Sequence, residues 1–280
     1  MLKQMSKLAS LFLLLLVSFI YTDKVFSEVK KNDPLMQEVI SYKQQHDEKP
    51  LEPKIRDNEM ILGLSGLYVD EEESYENMKD DDSFNENKIV YKEELPKKSI
   101  TNNYDYYITK GNAKNNKVSI IFKVDSNKNL NNLIKKIKQD NVKINLFIDG
   151  AYLEKNVEKA FDLTDLNSEI YNLGYNGKYD KTMIKVTNNL IESITLKNSN
   201  LCLNESKDDN QKEICKNKKM HTITPTVINP TITELKEKLS KGLMISYDLE
   251  DYDFSNFKLM INTIESRGYE IVGLSELIKE

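Results

Sequence analysis

The chain has 280 residues, with 45 acidic against 40 basic and a formal net charge of −5. No basic stripe with interleaved aromatics occurs, which argues against nucleic acid as a partner. The length suits one domain of about 150 to 200 residues with extensions, and two cysteines with two histidines leave little material for a thiolate or imidazole metal centre.

Residues 1–27 read as a targeting segment. Lys3 and Lys7 precede an apolar run over residues 8–21, which is typical of a signal peptide and shorter than the ~20 residues a spanning helix needs. Val25-Phe26-Ser27 offers a cleavage site after Ser27. An uncleaved membrane anchor or a buried core helix fits the same run. The first two readings make the rest of the chain extracytoplasmic, either secreted or anchored to the cytoplasmic membrane.

Residues 28–58 are polar, with Pro34, Pro50 and Pro53, and read as a linker carrying a short helix near residues 35–45. Residues 59–116 read as an N-terminal arm. Within it, residues 60–69 are an apolar island punctuated by Gly63 and Gly66, which predicts a strand, a tight turn and a second strand. Residues 70–86 hold nine acidic residues against one lysine, a pattern of solvated surface or mobile loop. Asp80-Asp81-Asp82 lacks the alternating spacing and turn glycine of a calcium loop. Residues 89–92 read as a short strand ended by Pro96.

From Lys117 to Glu280 the pattern is regular. Strands are expected at residues 118–124, 142–148, around Ile170, 220–224, 226–228, 243–247 and 270–272. Helices are expected at 130–140 and 153–163, from Asp180 onward, from the Thr231-Ile232-Thr233-Glu234 capping box to Gly242, and at 254–267. Alternation of this kind predicts an α/β fold with a parallel sheet. Cys202 and Cys215 flank a polar stretch. In an oxidising compartment they can form a disulfide closing that loop. Two unpaired thiols, or a sparse zinc set completed by His221, are the other readings.

Several segments resemble the polysaccharide deacetylases, the NodB-homology or family 4 carbohydrate esterase type. Val118-Ser119-Ile120-Ile121-Phe122 resembles the family's opening strand. Residues 142–150, Val-Lys-Ile-Asn-Leu-Phe-Ile-Asp-Gly, resemble its "vkaTFFvxG" strand. Ser168-Glu169-Ile170-Tyr171-Asn172 resembles "HEIGN", residues 242–248 resemble "GsIilxHD", and residues 267–277 resemble the C-terminal "kGYxfvtLsEL". The resemblance spans about residues 117–279. It implies an irregular (β/α) barrel related to the TIM barrel, here with an N-terminal extended arm.

The resemblance also implies a divalent metal such as zinc, held by one Asp and two His, which polarises the acetamide and activates water. The residues for this are missing. Ile121-Phe122-Lys123-Val124-Asp125 stands where the family has TFDDG, so Lys123 and Val124 replace its two aspartates. Leu173 and Gly177 stand at the two histidines of HxxxH. Asp248, or Tyr247 in a shifted register, takes the place of the late histidine that acts as general acid. The inherited chemistry, its metal cofactor included, is therefore not expected.

Function in such barrels sits at the C-terminal ends of the strands. Asp125, Asp149, Asn172 and Asp248 fall there, with Tyr175 close behind. The three carboxylates suit a hard cation or an acid–base pair on a glycosidic bond. Asp and Asn also cap helices and open loops at such points. Asn172 and Tyr175 are candidate ligand-binding residues. The tyrosines between Tyr68 and Tyr175 could stack on sugars or anchor the core.

The reading is a deacetylase-like protein of the cell envelope without a metal site, binding a cell-wall or surface glycan or an envelope protein. An active hydrolase with a rebuilt carboxylate site is the alternative. A structural protein whose acidic arm recruits a basic partner is a third.

Overall fold

The computed structural model describes Leu14, Ser18 and residues 29–280. The signal or anchor read over residues 1–27 otherwise lies outside the described residues. Two compact units are present. One takes the described residues up to Pro50 with Ser65–Glu94, and the other takes Leu51–Leu64 with Leu95–Glu280.

In chain order, helix α1 (Pro34–His46) is capped by the Asp33 side chain, which accepts from Leu35 N. The hairpin β1 (Lys54–Arg56) and β2 (Glu59–Ile61) belongs to the second unit, whereas β3 (Gly66–Val69), α2 (Glu71–Met78) and β4 (Tyr91–Glu94) belong to the first. The stretch 59–116, read from sequence as one arm, is thus divided between the units. Its apolar island contributes to two different sheets, β2 in the large one and β3 paired with β4.

The acidic block is solvated surface, as one of its two readings has it, but its first half is helical. Asp70 accepts from Glu73 N, and Glu71, Glu72 and Glu73 fill the first turn of α2, where negative charge suits the helix dipole. Ser74, Tyr75 and Met78 are buried. Lys30 pairs with Glu76 at 2.6 Å and Lys43 with Glu71 at 2.7 Å. Charge density hid an amphipathic helix.

The second unit continues with β5 (Tyr107–Lys110), β6 (Lys117–Val124), α3 (Leu130–Asp140), β7 (Ile144–Ile148), α4 (Gly150–Lys155), α5 (Val157–Thr164), β8 (Ser168–Asn172) and α6 (Met183–Thr195). It ends with β9 (Leu201–Leu203), α7 (Asp209–Asn217), β10 (His221–Ile223), β11 (Val227–Ile228), α8 (Ile232–Lys238), β12 (Met244–Asp248), α9 (Phe257–Glu265), β13 (Glu270–Ile271) and α10 (Leu274–Leu277). The sheet order is β1-β2-β5-β10-β9-β8-β7-β6-β12-β11, with β13 beside β6. Apart from β1 with β2, the pairs along this path are parallel. An isolated bridge between Lys110 and Leu243 ties the end of β5 to the start of β12, so the sheet curls into an irregular barrel.

The two-residue period of a strand sorts the side chains into two layers. On β6, Val118, Ile120, Phe122 and Val124 join the outer core under the helices, with Ile144, Leu146 and Ile148 of β7 and Ile245 and Tyr247 of β12. The opposite parity fills the barrel interior with Ile121, Phe147, Tyr171, Leu201, Leu203, Ile223 and Met244. Continuing that parity to the C-terminal ends of the strands places Lys123, Leu173, Glu205 and Asp248 on the inner face. This parity builds the mouth.

Cys202 and Cys215 form a disulfide with Cα atoms 6.3 Å apart. Both are fully buried with Ile184 and Met220. The polar segment between them is ordered as α7, capped by Asp208. At the other end of the barrel, the Glu169 carboxylate accepts from Ser275 N at 3.0 Å, Ser275 Oγ at 2.6 Å and the Tyr171 hydroxyl at 2.8 Å. This clamps α10. A Cβ on Gly273 would lie 2.1 Å from Glu169 Oε1, so a side chain there would push the carboxylate out of the clamp.

Candidate functional site at the strand C-termini

The inner face of the mouth is built around Lys123. Its Nζ lies 2.5 Å from Glu205 Oε2 and 2.7 Å from Asp248 Oδ1. The Lys123 and Glu205 side chains are 17% and 19% exposed, against 40% for Asp248. Ser246 Oγ donates to the second oxygen of Glu205. Asn229 Nδ2 donates to Asp248 Oδ2 at 2.5 Å, and its Oδ1 accepts from Asp248 N at 2.8 Å. Desolvation alone would lower the Lys123 pKa, but hydrogen bonds to Asp248 and Glu205 outweigh it and raise the value. Asp248 mirrors this. Desolvation would raise it, and hydrogen bonds from Lys123 and Asn229 hold it below the ordinary carboxylate range. The centre of the mouth is therefore a hydrogen-bonded cluster of one ammonium and two carboxylates.

Glu205 escaped the sequence reading. Its signal was parity: it lies two residues past inward-facing Leu203, on the strand end facing an inward lysine that requires an anion. Without β9 in the reading, that parity could not be assigned.

The other sequence candidates occupy structural roles. Asp149 is buried, and its Oδ1 accepts from Ala151 N at 2.9 Å and Tyr152 N at 3.2 Å, capping α4. Its Oδ2 accepts from Gly177 N at 2.9 Å. Asn172 is fully buried, with Nδ2 donating to Ile184 O and Asn188 Oδ1 and Oδ1 accepting from Gly174 N. That amide fixes the turn after β8 and does not face a ligand. Tyr175 donates to Glu154 Oε2 at 2.5 Å, which raises its pKa. Asp125 is solvent-facing. Crowding by protein atoms raises its carboxyl pKa, and Glu250, Asp149 and Asp248 raise it further. Asp125 senses the other two aspartates electrostatically, yet Asp149 and Asp248 have their oxygens committed elsewhere.

The donor set does not fit a divalent metal. Val124 is fully buried in the outer core. Leu173 packs against the barrel interior. Gly177 has no side chain, and with Asn176 it supplies the two positive-φ positions of a tight turn between Tyr175 and Lys178, at 69° and 50°. This is the Asn-Gly hairpin turn. Lys123 would repel a cation. Among the described residues, no group of three or more His, Cys, Asp or Glu side chains could hold a metal.

The two histidines do not serve the mouth. His46 belongs to the first unit and stacks on Tyr42 at 3.8 Å. His221 begins β10, at the opposite end of the strands from Lys123, and stacks on Tyr104 at 4.5 Å. Desolvation lowers its pKa to about 4 against a hydrogen bond with the Asn103 backbone that raises it, so it is neutral at pH 7. The zinc alternative with the two cysteines falls because their sulfurs are bonded to each other.

No family model matches the chain. An uncharacterised protein of Bacillus subtilis (strain 168), YlxY, is 24% identical over 269 residues, covering 89% of this chain and 84% of that one. The crystal structure of wild-type BA3943, described as a CE4 family pseudoenzyme from Bacillus anthracis, superposes with a TM-score of 0.64. It is 22% identical and covers 89% of this chain and 96% of that one. The Bc1960 peptidoglycan N-acetylglucosamine deacetylase gives a TM-score of 0.53 at 14% identity, covering 62% of this chain and 95% of that one. The chain thus has the polysaccharide deacetylase fold of the family 4 carbohydrate esterases. Lys123, Val124, Leu173 and Gly177 stand at the positions where the resemblance places the two aspartates and two histidines of the metal site.

Proposed function

We propose that this protein does not hydrolyse its ligand and works in the cell envelope, outside the cytoplasmic membrane, as a glycan-binding module. The carrying observation is the Lys123–Glu205–Asp248 cluster. Metal-dependent deacetylation needs a Lewis acid against the acetamide oxygen and a bound water of lowered pKa. Here an ammonium, already paired at 2.5 and 2.7 Å, occupies the inner face of the mouth. It can supply neither function.

The description of BA3943 as a pseudoenzyme and that of Bc1960 as acting on peptidoglycan favour a non-hydrolytic, cell-wall-directed role. The apolar run over residues 8–21 and the buried disulfide favour an oxidising compartment beyond the membrane. Among the described residues, no helix is long and apolar enough to cross a membrane.

Co-sedimentation of the full chain with purified peptidoglycan sacculi, with acetate release followed in parallel, tests this reading. Saturable binding without acetate release is expected. Soluble protein at every sacculus concentration, or steady acetate release, would overturn it.

A further inference from the structure

Beside the mouth, beyond the C-terminal ends of β11 and β12, lies a cleft of about 370 Å³, within the range of small-molecule sites. Asn229, Tyr247, Asp251, Tyr252, Asp253 and Asn256 contribute to its lining, which contains no Lys, Arg or His. Lys128 approaches Asp251 from outside the lining, at 3.7 Å and with both side chains well exposed.

Tyr247 is the informative residue. It is 4% exposed, its ring stacked on Phe122 at 5.5 Å and edge-on to Tyr252 at 4.8 Å. Its hydroxyl makes no hydrogen bond to another described residue and keeps some solvent-accessible surface, and the residue lines the cleft. A hydroxyl that the fold leaves open to the cleft is free to bond a ligand there. Burial also raises its pKa, so the hydroxyl is a neutral donor and acceptor at pH 7.

The carboxylates complete the pattern. Asp253 accepts from Ser255 N, Ser255 Oγ and Asn256 Nδ2. The Ser255 hydrogen bonds hold it below the ordinary carboxylate range, so it stays charged. Asp251 is open to solvent. The Asn256 carbonyl oxygen and the Tyr247 hydroxyl remain for ligand hydroxyls.

We propose that this cleft binds a hexosamine bearing a free amine, the unit a deacetylated glycan presents. Asp251 and Asp253 face the ammonium, and Tyr247 and Asn256 take ring hydroxyls. The inference rests on the glycan-binding reading and deepens it: an acidic, lysine-free cleft selects the amine over the acetamide. The protein would then recognise sites where a deacetylase of this fold has already acted.

The test is calorimetric titration of the full chain at low salt with a glucosamine tetramer and, separately, an N-acetylglucosamine tetramer. The amino form should bind at least ~10-fold tighter, the share of one charge-assisted contact. Added salt should weaken that preference. Asp253→Asn, which keeps the oxygen that accepts from Ser255 N, should erase most of it. Tyr247→Phe, which removes a hydroxyl the fold does not use, should weaken binding and leave unfolding unchanged.

Equal affinity for the two tetramers, or full binding in Asp253→Asn, would overturn the proposal. So would equal binding of spermidine, a cation without hydroxyls. Sacculus binding retained alongside such a result overturns the cleft alone. Tetramer binding without sacculus binding overturns the envelope reading instead.

Discussion

Replacing Lys123 by methionine removes the cation from the mouth and keeps a side chain of similar length. Removing one partner of a buried ion pair costs about 3–5 kcal/mol, because the other charge is left uncompensated. Lys123 and Glu205 are 17% and 19% exposed, which places this pair at the lower end of that range. Asp248, at 40% exposure, is screened by solvent and adds less than about 1 kcal/mol. The expected loss at pH 7 is therefore about 3 kcal/mol, read from urea unfolding followed by circular dichroism and extrapolated linearly.

The pH dependence carries the sign. The Lys123 pKa is raised above 10.5, so its contribution is complete below that value and is lost as pH rises through the folded pKa. The Asp248 pKa is lowered below 3.8, so its contribution is complete above that value and is lost as pH falls through the folded pKa. The difference between wild type and Lys123→Met should be flat from about pH 4 to about pH 10.5 and shrink on either side. The difference isolates the cluster, since Lys30, Lys43 and Lys117 also titrate at the alkaline end. Adding Glu205→Gln to Lys123→Met should recover much of the loss. A loss under about 0.5 kcal/mol at pH 7, the value of an exposed pair, would mean that the cluster is not buried in solution.

Three other perturbations have defined outcomes. Replacing both Cys202 and Cys215 by alanine should cost roughly 3 kcal/mol, the chain-entropy value for a loop of this size, visible as a lower urea midpoint. Gly273→Ala should displace the Glu169 carboxylate from Ser275 and Tyr171 and cost about 2 kcal/mol for the unmet donors; an unchanged melting temperature would show that the clamp is dispensable. Asp149→Ala should cost about 2 kcal/mol through the lost α4 cap and the orphaned Gly177 N–H, whereas Asp149→Asn, which retains the capping oxygen, should cost less than half as much.

The barrel was legible because its strands follow simple rules. The runs at residues 118–124 and 142–148 appear as β6 and β7, and the Thr231 capping box forms as read. Asp180 accepts from Thr182 N and Met183 N just ahead of α6. Short or charged elements were harder. Strands β5 and β9 are only four and three residues long, too short for a period to show. Helices α2 and α7 carry polar sequences whose buried sides reduce to a few residues. At the mouth, the missing histidines were visible by inspection. The replacement chemistry was not, because Glu205 lies 82 positions from Lys123 and meets it only when the sheet curls. Asp149 and Asn172 were visible as residue types, but their commitment to capping and turn geometry depends on the backbone around them.

A lysine paired with two carboxylates stands at the mouth, where the resemblance implies a metal. Calorimetric titration of zinc and other divalent metals into the metal-stripped full chain, with acetate release from an acetylated glycan measured on the same samples, shows whether that cluster excludes metal chemistry. No heat beyond dilution and no acetate are expected. Near one-to-one binding at micromolar affinity or tighter, abolished by Asp248→Ala or Asp125→Ala and accompanied by acetate release, would contradict that expectation.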